Sequence, residues 1–285
     1  RERLLLERYC GFGGLKCILN PARELADAVH WAKSDLELFA PTVELHRLIR
    51  ENSKNESEYK QLMDSLKQSV LTAFYTPSAV TEALTDVLKE HQIIPEKVLE
   101  PSAGIGAFVD SVLDNNPKAD IMAFEKDLLT GKILRHLHPE QKVRIEGFEK
   151  IEKPFNDYFD LAISNIPFGD VAVFDPSYTA MKGMRALVTR RIHNYFFVKA
   201  LDTVRDGGLV AFITSQGVLN AKNNSAARFM MLYHADLVSA IRLPNNLFTE
   251  NANTEVGSDL IILQKNTQKE SLRGDDNLLD TVYND

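Results

Sequence analysis

Cysteine, long apolar runs and positive charge are all scarce in this sequence. Its 285 residues include only two cysteines, Cys10 and Cys17, without the second pair that a zinc site or a disulfide framework would need. No metal is therefore expected, and the free thiols fit a reducing cytoplasm. No apolar run has the length of a membrane span and no secretory signal opens the chain, so no membrane association is expected. Because the first residue is Arg1 and not methionine, the chain is expected to be part of a longer polypeptide.

The net charge of −7 argues against broad electrostatic capture of nucleic acid. A nucleic-acid substrate would then require a local basic surface. One candidate stretch carries Lys182, Arg185, Arg190 and Arg191. On charge alone these residues fit the solvated face of a helix better, and both interpretations stay open at this point.

From about residue 97, short apolar strands alternate with helical segments, which is typical of a parallel, doubly wound α/β sheet. Strands are predicted at 97–101, 120–125, 143–147, 160–165, 208–214, 237–243 and 258–264. Helices are predicted at 78–91, 107–115, 128–136, 191–204 and 225–234.

The first seventy or so residues have a different pattern. Helices are predicted at 23–31, 35–39 and 56–71, separated by Pro41 and by the polar run 51–55. The chain is therefore divided into a helical appendage (1–72), an α/β domain that would hold the active site (73–266) and a polar tail (267–285).

A glycine turn lies between the first predicted strand and the helix after it. Gly104 and Gly106 remove side chains where a ligand must approach the backbone, and the helix offers its N-terminal amides to an anion. A dinucleotide fingerprint would have a third glycine where Val109 stands, and no Gly-Lys-Ser/Thr of a phosphate loop is present. Phosphate ligands are therefore disfavoured. S-adenosylmethionine, which has one carboxylate and no phosphate, fits, and the alternative is a turn without a ligand.

An acidic residue, Glu125, ends the second predicted strand, where a carboxylate can accept hydrogen bonds from both ribose hydroxyls. Cofactor contacts are predicted along the turn and beside this acid, at Glu100, Pro101, Ser102, Gly104, Gly106, Phe108, Glu125 and Lys126.

The strand at 160–165 runs directly into Asn165-Ile166-Pro167-Phe168. This junction places an amide, a proline-stiffened backbone and an aromatic ring at the edge where open α/β sheets bind ligands. Amide and backbone oxygens can accept hydrogen bonds from an exocyclic amine, and the ring can stack on the heterocycle that carries it. The tetrapeptide resembles the Asn-Pro-Pro-Tyr/Phe signature of amino-group methyltransferases, chiefly the DNA adenine-N6 enzymes, with Ile166 in place of the first proline.

Other stretches extend this resemblance. An aromatic-Thr-Pro element at 74–77 precedes the glycine turn and the tetrapeptide, as in one group of adenine methyltransferases. The stretches 9–15, 147–149, 193–202 and 207–215 resemble the methylase portion of large methylase–helicase proteins of mobile elements, plasmids and phages. The resemblance covers nearly the whole chain. It implies a seven-stranded, Rossmann-like S-adenosylmethionine-dependent methyltransferase sheet, with the seventh strand antiparallel beside the fifth, DNA as the partner and a helicase part outside this chain.

The resemblance also implies roles for the tetrapeptide. The side chain of Asn165 and the carbonyl of Ile166 would accept the two N–H bonds of adenine N6. Pro167 would hold Ile166 extended, and Phe168 would stack on the flipped base. The alternative for Phe168 is a core aromatic under the loop.

Two further elements would hold the cofactor. The turn of Tyr75, Thr76 and Pro77 would close over its methionine end, although Thr76 and Pro77 also fit simple helix-start chemistry. Many relatives hold the cofactor's adenine amine with an aspartate after the third strand. Here Phe148 and Glu149 occupy that place, so that Phe148 would pack on the ring and Glu149 would accept the amine.

Two rival functions stay open. Protein-glutamine and RNA methyltransferases also use Asn-Pro-Pro-Tyr-type loops, and a degenerate chain would be a non-catalytic cofactor- or DNA-binding module. Because no separate target-recognition domain fits after Gln264, the chain alone is expected to bind DNA weakly and with little sequence preference.

Overall fold

The computed structural model describes residues 15–72, 76–181, 183–245 and 257–272. Some residues named in the sequence analysis lie outside these ranges, namely Tyr75, Lys182 and Cys10. Most residues of the polar tail also lie outside them. Within the described ranges, no helix is long and apolar enough to cross a membrane. The same residues contain no group of His, Cys, Asp and Glu side chains that could hold a metal ion.

Within the described ranges, seven strands form one sheet in the order β3-β2-β1-β4-β5-β7-β6. They are β1 (Lys97–Glu100), β2 (Asp120–Phe124), β3 (Lys142–Arg144), β4 (Phe159–Asn165), β5 (Val204–Ser215), β6 (Ala235–Arg242) and β7 (Ser258–Lys265). The first five strands pair in parallel, and β7 lies antiparallel between β5 and β6. All seven predicted strands and the antiparallel insertion beside the fifth strand are confirmed.

Helices cover both faces of the sheet. They are α1 (Phe39–Glu51), α2 (Glu56–Thr72), α3 (Ser78–Glu90), α4 (Ala107–Asn115), α5 (Leu128–Leu137), α6 (Pro176–Thr179), α7 (Met184–Val188), α8 (Ile192–Thr203), α9 (Gly217–Asn220) and α10 (Ser225–His234). Single 3-10 turns occur at Lys16–Leu19, Leu25–His30, Lys33–Leu38, Phe148–Lys150, Lys153–Phe155 and Lys222–Asn224.

The core lies on the two faces of the sheet. Because successive side chains of a strand point to opposite faces, Val98 packs with the cluster under α3 and α4, whereas Leu99 packs with the cluster under α8 and α10. Strands covered on both faces are apolar along most of their length, as β4 shows, and not alternately polar.

The appendage has a small core of its own, which includes Cys17, Trp31, Phe39 and Leu66. The Trp31 ring meets the Phe39 ring edge-on at 5.3 Å, and its indole N–H donates to the Pro21 carbonyl at 3.1 Å. Through Leu66, α2 contributes to this core.

Two expectations for the appendage are wrong. Pro41 does not separate helices, because α1 begins at Phe39 and continues through it to Glu51. Pro41 lies in the first turn, where a backbone N–H has no partner within the helix, so its missing donor costs nothing. The predicted helices at 23–31 and 35–39 are the 3-10 segments Leu25–His30 and Lys33–Leu38.

Two local expectations in the α/β domain also need correction. Thr76 does not cap α3, since Pro77 is the N-cap residue and no side chain among the described residues caps this helix. The third strand ends at Arg144 and not at Gly147, because the chain turns there into the 3-10 segment Phe148–Lys150.

Candidate active site

The carboxyl ends of β1, β2 and β4 meet where the strand order reverses, between β1 and β4. Glu100 ends β1, Glu125 directly follows β2, and Asn165 ends β4. Open α/β sheets bind their ligands in the crevice at such a switch point. The acids and the amide singled out from the sequence are thus brought to one edge of the sheet.

The glycine turn after β1 has a backbone that requires glycine. Gly104 has φ +57° and Gly106 has φ +103°, both in the left-handed region. A Cβ on Gly106 would also lie 2.5 Å from His138 Nε2. The Ala103 amide donates to the Phe124 carbonyl at 2.8 Å, which ties the turn to the end of β2.

The remaining predicted turn residues differ in exposure. Pro101 is buried, Ser102 is half-buried, and the Phe108 side chain is 3% exposed in the core under α4. Lys126 is exposed beside Glu125. Phe108 therefore supports the turn from beneath, whereas Ser102 and Gly104 lie nearer its surface.

Both oxygens of Glu125 accept backbone hydrogen bonds. The Gly104 amide donates to Oε2 at 2.9 Å, and the Asp127 amide donates to Oε1 at 2.7 Å. Burial, together with the nearby charge of Asp127, raises the pKa of Glu125 to about 7. The carboxyl group is therefore fixed in direction against the glycine turn.

Glu100 is almost fully buried, with 1% of its surface exposed. Burial raises the pKa of Glu100 to about 8, and the charge of Glu125 acts in the same direction. The Ser102 amide donates to Glu100 Oε1 at 3.0 Å and so opposes the shift. Two carboxyl groups with raised pKa values at one sheet edge are typical of a functional site.

The tetrapeptide leaves β4 with its side chains on different sides. Asn165, Pro167 and Phe168 are half-buried, and Ile166 is 1% exposed within the cluster under α8 and α10. The Ile166 N–H donates to the Ile213 carbonyl at 3.0 Å, which continues the β4–β5 ladder one residue further. A proline at this position could not make that bond. Phe168 packs against the opposite cluster, under α3 and α4.

The place predicted to hold the cofactor's adenine combines a buried ring and a partly exposed acid. Phe148 is 1% exposed and packs edge-on against Phe124, with ring centroids 5.8 Å apart. Glu149 is half-buried, and its carboxylate folds back over Gly147, whose Cβ would lie 2.1 Å from Glu149 Oε2. Of the two residues, Glu149 is the one with polar atoms near the surface.

The predicted DNA-binding cations have unequal surroundings. Arg185 makes a two-pronged ion pair with Asp202, with distances of 2.6 and 2.9 Å. Arg191 pairs with Asp170 at 3.2 Å, and Arg190 is exposed. The charges of Arg185 and Arg191 are thus partly neutralised within the protein, which leaves Arg190 as the more available cation of the three.

A buried polar network behind the tetrapeptide was missed by the sequence analysis. Asp175 is 2% exposed and accepts from the hydroxyls of Ser177 and Tyr195 at 2.5 and 2.7 Å and from Lys199 at 3.2 Å. Burial raises the pKa of Asp175, but these hydrogen bonds and the Lys199 charge outweigh it and hold the pKa at about 2. The network connects the segment after Gly169 to α8. No local sequence motif predicts such pairs, because the partners lie far apart in the chain.

The sequence model of the N-6 DNA Methylase family matches residues 57–281 of the chain. Two curated proteins are also similar. Defense against restriction protein B of Escherichia phage P1 is 29% identical over 201 residues, which are 68% of this chain and 8% of that protein. The type II methyltransferase M.XamI of Xanthomonas campestris pv. amaranthicola is 25% identical over 173 residues, 56% of this chain and 33% of that protein. The chain thus spans a third or less of the length of these relatives.

Among solved structures, a Listeria monocytogenes protein assigned to the class I S-adenosylmethionine-dependent methyltransferases superposes with a TM-score of 0.58. The match covers 92% of this chain and 90% of that one, at 14% sequence identity. At this identity the likeness shows the fold, a seven-stranded class I methyltransferase sheet.

Proposed function

The chain belongs to the N-6 DNA methylase family, and from this premise we propose that it transfers a methyl group from S-adenosylmethionine to N6 of adenine in DNA. The observation that carries the proposal is the meeting of three elements at the switch point. They are the glycine turn with Glu100, the ribose-binding candidate Glu125, and the Asn165–Phe168 tetrapeptide.

The cofactor is S-adenosylmethionine, which the family and the class I methyltransferase fold support. Glu125 would accept hydrogen bonds from the ribose hydroxyls, in line with the fixed direction of its carboxyl group. Gly104 and Gly106 would let the methionine end approach the backbone, and Glu149 would accept the adenine amine. Thr76 and Pro77, half-buried just before α3, stay candidates for the turn that closes over the methionine end.

Catalysis would depend on positioning the target amine. The lone pair of adenine N6 is delocalised into the ring, so the nitrogen is a poor nucleophile. If Asn165 Oδ1 and the Ile166 carbonyl accept its two N–H bonds, the nitrogen can pyramidalise and attack the methyl carbon in line. The N–C bond would form as the S–C bond breaks, which would give S-adenosylhomocysteine and N6-methyladenine, and the surplus proton would pass to water.

The target base must leave the duplex to reach this site. Phe168 is half-buried at the end of the tetrapeptide, and its ring is proposed to stack on the flipped base. Ile166, by contrast, is buried and contributes its carbonyl and not its side chain.

DNA binding by this chain alone is proposed to be weak and largely independent of sequence. The net charge is −7, and two of the three described candidate cations are paired with acids. Phage P1 Defense against restriction protein B and M.XamI are both longer than this chain. Further parts of a longer polypeptide, such as a helicase part, would supply most of the contact with DNA.

The test is transfer of labelled methyl from S-adenosylmethionine to mixed-sequence duplex DNA. Wild-type protein should label DNA, and Asn165→Ala should reduce the rate by at least about a hundredfold, as expected for loss of an oriented acceptor in the transition state. The matched control is Asn52→Ala, which removes an exposed side-chain amide at the end of α1 and should leave the rate of methyl transfer unchanged. Labelled RNA or protein in place of DNA would support the corresponding rival function. Cofactor binding without transfer to any of the three would support a non-catalytic module.

A further inference from the structure

The helix α2 connects the appendage to the cofactor side of the sheet. Leu66 is fully buried in the appendage core. The neighbouring Ser65, which is 6% exposed, faces the start of α5 instead. The start of α5 lies directly after Glu125, so α2 reaches the region where the cofactor is proposed to bind.

Ser65 hydrogen-bonds on both sides at this junction. Its hydroxyl donates to Asp127 Oδ2 and accepts from the Leu129 amide at 3.1 Å. The other oxygen of Asp127 accepts from the Thr130 amide at 2.7 Å, which makes Asp127 the N-cap residue of α5. Ser65 therefore holds the free oxygen of the cap and satisfies one amide that the first helical turn leaves unpaired.

The chain of hydrogen bonds continues from the cap to the glycine turn. The Asp127 amide donates to Glu125 Oε1 at 2.7 Å, and Glu125 Oε2 accepts from the Gly104 amide at 2.9 Å. Hydrogen bonds thus link Ser65 to Asp127, Asp127 to Glu125 and Glu125 to Gly104. Asp127 contacts Ser65 through its side chain and Glu125 through its backbone amide. The charge of Asp127 also raises the pKa of Glu125, so the position of Asp127 affects the protonation as well as the direction of that carboxyl group.

We propose that Ser65 is a positioning residue for the cofactor site: by fixing Asp127 it orients Glu125 toward the cofactor ribose. This inference rests on the proposed function, because it takes Glu125 to be the ribose ligand. It makes the appendage helix α2 part of the cofactor site through one side chain. Without the hydroxyl, Asp127 loses a donor and the Leu129 amide loses its acceptor, so the turn that carries Glu125 is held less firmly.

A double-mutant cycle on S-adenosylmethionine binding tests this role. Dissociation constants are measured by calorimetry for wild type, Ser65→Ala, Glu125→Gln and the double variant. Ser65→Ala should weaken binding by about tenfold, and Glu125→Gln by more. The double variant should bind no more weakly than Glu125→Gln alone, because Ser65 acts through Glu125.

Two further variants separate this role from a general effect on folding. Ser69→Ala removes another buried hydroxyl one turn along α2 and should leave the affinity unchanged. Ser65→Thr keeps the hydroxyl and should stay within about threefold of wild type. Thermal unfolding of each variant establishes that the binding data refer to folded protein.

The possible failures are distinguishable. Unchanged affinity in Ser65→Ala, or a loss that adds fully to that of Glu125→Gln, would overturn the role of Ser65 while leaving the proposed function intact. Unchanged affinity in Glu125→Gln would instead remove the ribose ligand from the proposed site, and the role of Ser65 would fall with it.

Discussion

At the scale of single residues, the structure explains why isoleucine can stand at position 166, where the Asn-Pro-Pro-Tyr/Phe signature has its first proline. The sequence alone presents it as a missing proline. The structure gives it a hydrogen bond to Ile213 and a side chain buried in the cluster under α8 and α10. Neither could be predicted, because the partners lie on elements much further along the chain. Asn165 and Phe168 could be singled out from the sequence because they follow a predicted strand and match the signature that the tetrapeptide resembles.

Substituting Ile166 by proline separates stability from activity. Ile166→Pro removes the N–H that donates to Ile213 and some buried apolar surface, so the free energy of unfolding should fall by about 2 kcal/mol. Methyl transfer should persist, because proline retains the carbonyl that is proposed to accept from the target amine. Urea unfolding measures the expected loss of stability, and the methyl-transfer assay measures the retained activity. Loss of transfer in a variant that remains folded would contradict the assigned role of the carbonyl.

The requirement for glycine at position 106 can be divided into backbone strain and steric contact. Gly106 and Gly183 both have left-handed φ angles, of +103° and +91°, but a Cβ on Gly183 meets nothing within 4 Å. Gly183 has ψ −148°, a backbone region that only glycine readily adopts, so Gly183→Ala should cost about 1 to 3 kcal/mol of unfolding free energy from backbone strain alone. Gly106 has ψ 25°, so Gly106→Ala should cost about 1 to 2 kcal/mol from backbone strain and about 2 kcal/mol more from the contacts with His138 and Leu134. A loss of only about 1 kcal/mol in Gly106→Ala, measured by chemical denaturation, would show that the contact with His138 relaxes freely.

At the scale of elements, the strands of the α/β domain were predictable and the segments between them were only partly so. Continuous apolar stretches marked β1, β4 and β5, since strands covered on both faces leave that pattern. The helix α1 was missed because Pro41 suggested a break, although its place in the first turn makes it harmless. The two helices α6 and α7, at 176–188, were missed because they are short and are held by side-chain pairs with distant α8.

The buried pair of Asp175 and Lys199 should stabilise the segment that follows Gly169. Asp175→Asn should lower the free energy of unfolding by about 3 kcal/mol, because it leaves the buried Lys199 ammonium without its anion. Asp170→Asn is the matched control. Its side chain is 77% exposed, and its pair with Arg191 should contribute at most about 1 kcal/mol. Denaturant unfolding of both variants checks this, and similar losses in the two would contradict the stabilising role of the buried pair.

At the scale of the whole molecule, stability should fall as the pH rises from 7 to 9. The pKa values of Glu100 and Glu125 are raised in the folded protein to about 8 and about 7, from an ordinary value of 4.5. The folded state therefore holds protons that the unfolded state has lost, and this stabilisation disappears as the pH passes the folded pKa values. The expected loss is about 1 to 2 kcal/mol over this range. Burial lowers the pKa of His193 to about 4, so this side chain is mostly neutral in both states and contributes little above pH 7.

Thermal unfolding across this pH range checks the prediction. Glu100→Gln should remove most of the slope and should be more stable than wild type at pH 9. Glu82→Gln, which changes an exposed carboxylate on α3, should keep the wild-type slope. A flat wild-type profile would mean that the two buried carboxyl groups are already charged in the folded protein at pH 7.

The net charge of the chain is the reason why other parts of a longer polypeptide are proposed to supply most of the contact with DNA. The chain belongs to the N-6 DNA methylase family, yet it carries a net charge of −7. The matched stretch is 8% of the phage P1 relative. If, as proposed, other parts of a longer polypeptide bind most of the DNA, this chain needs only enough local positive charge to admit the target base.

The product of methyl transfer shows both which atom is methylated and whether Asn165 is needed. DNA treated with the protein and S-adenosylmethionine is digested to nucleosides, and the methylated nucleoside is identified by mass spectrometry for wild type and Asn165→Ala. We expect N6-methyldeoxyadenosine from the wild type and almost none from the variant. A methylated cytosine, or the same yield of N6-methyldeoxyadenosine from both proteins, would contradict transfer to adenine N6 through Asn165.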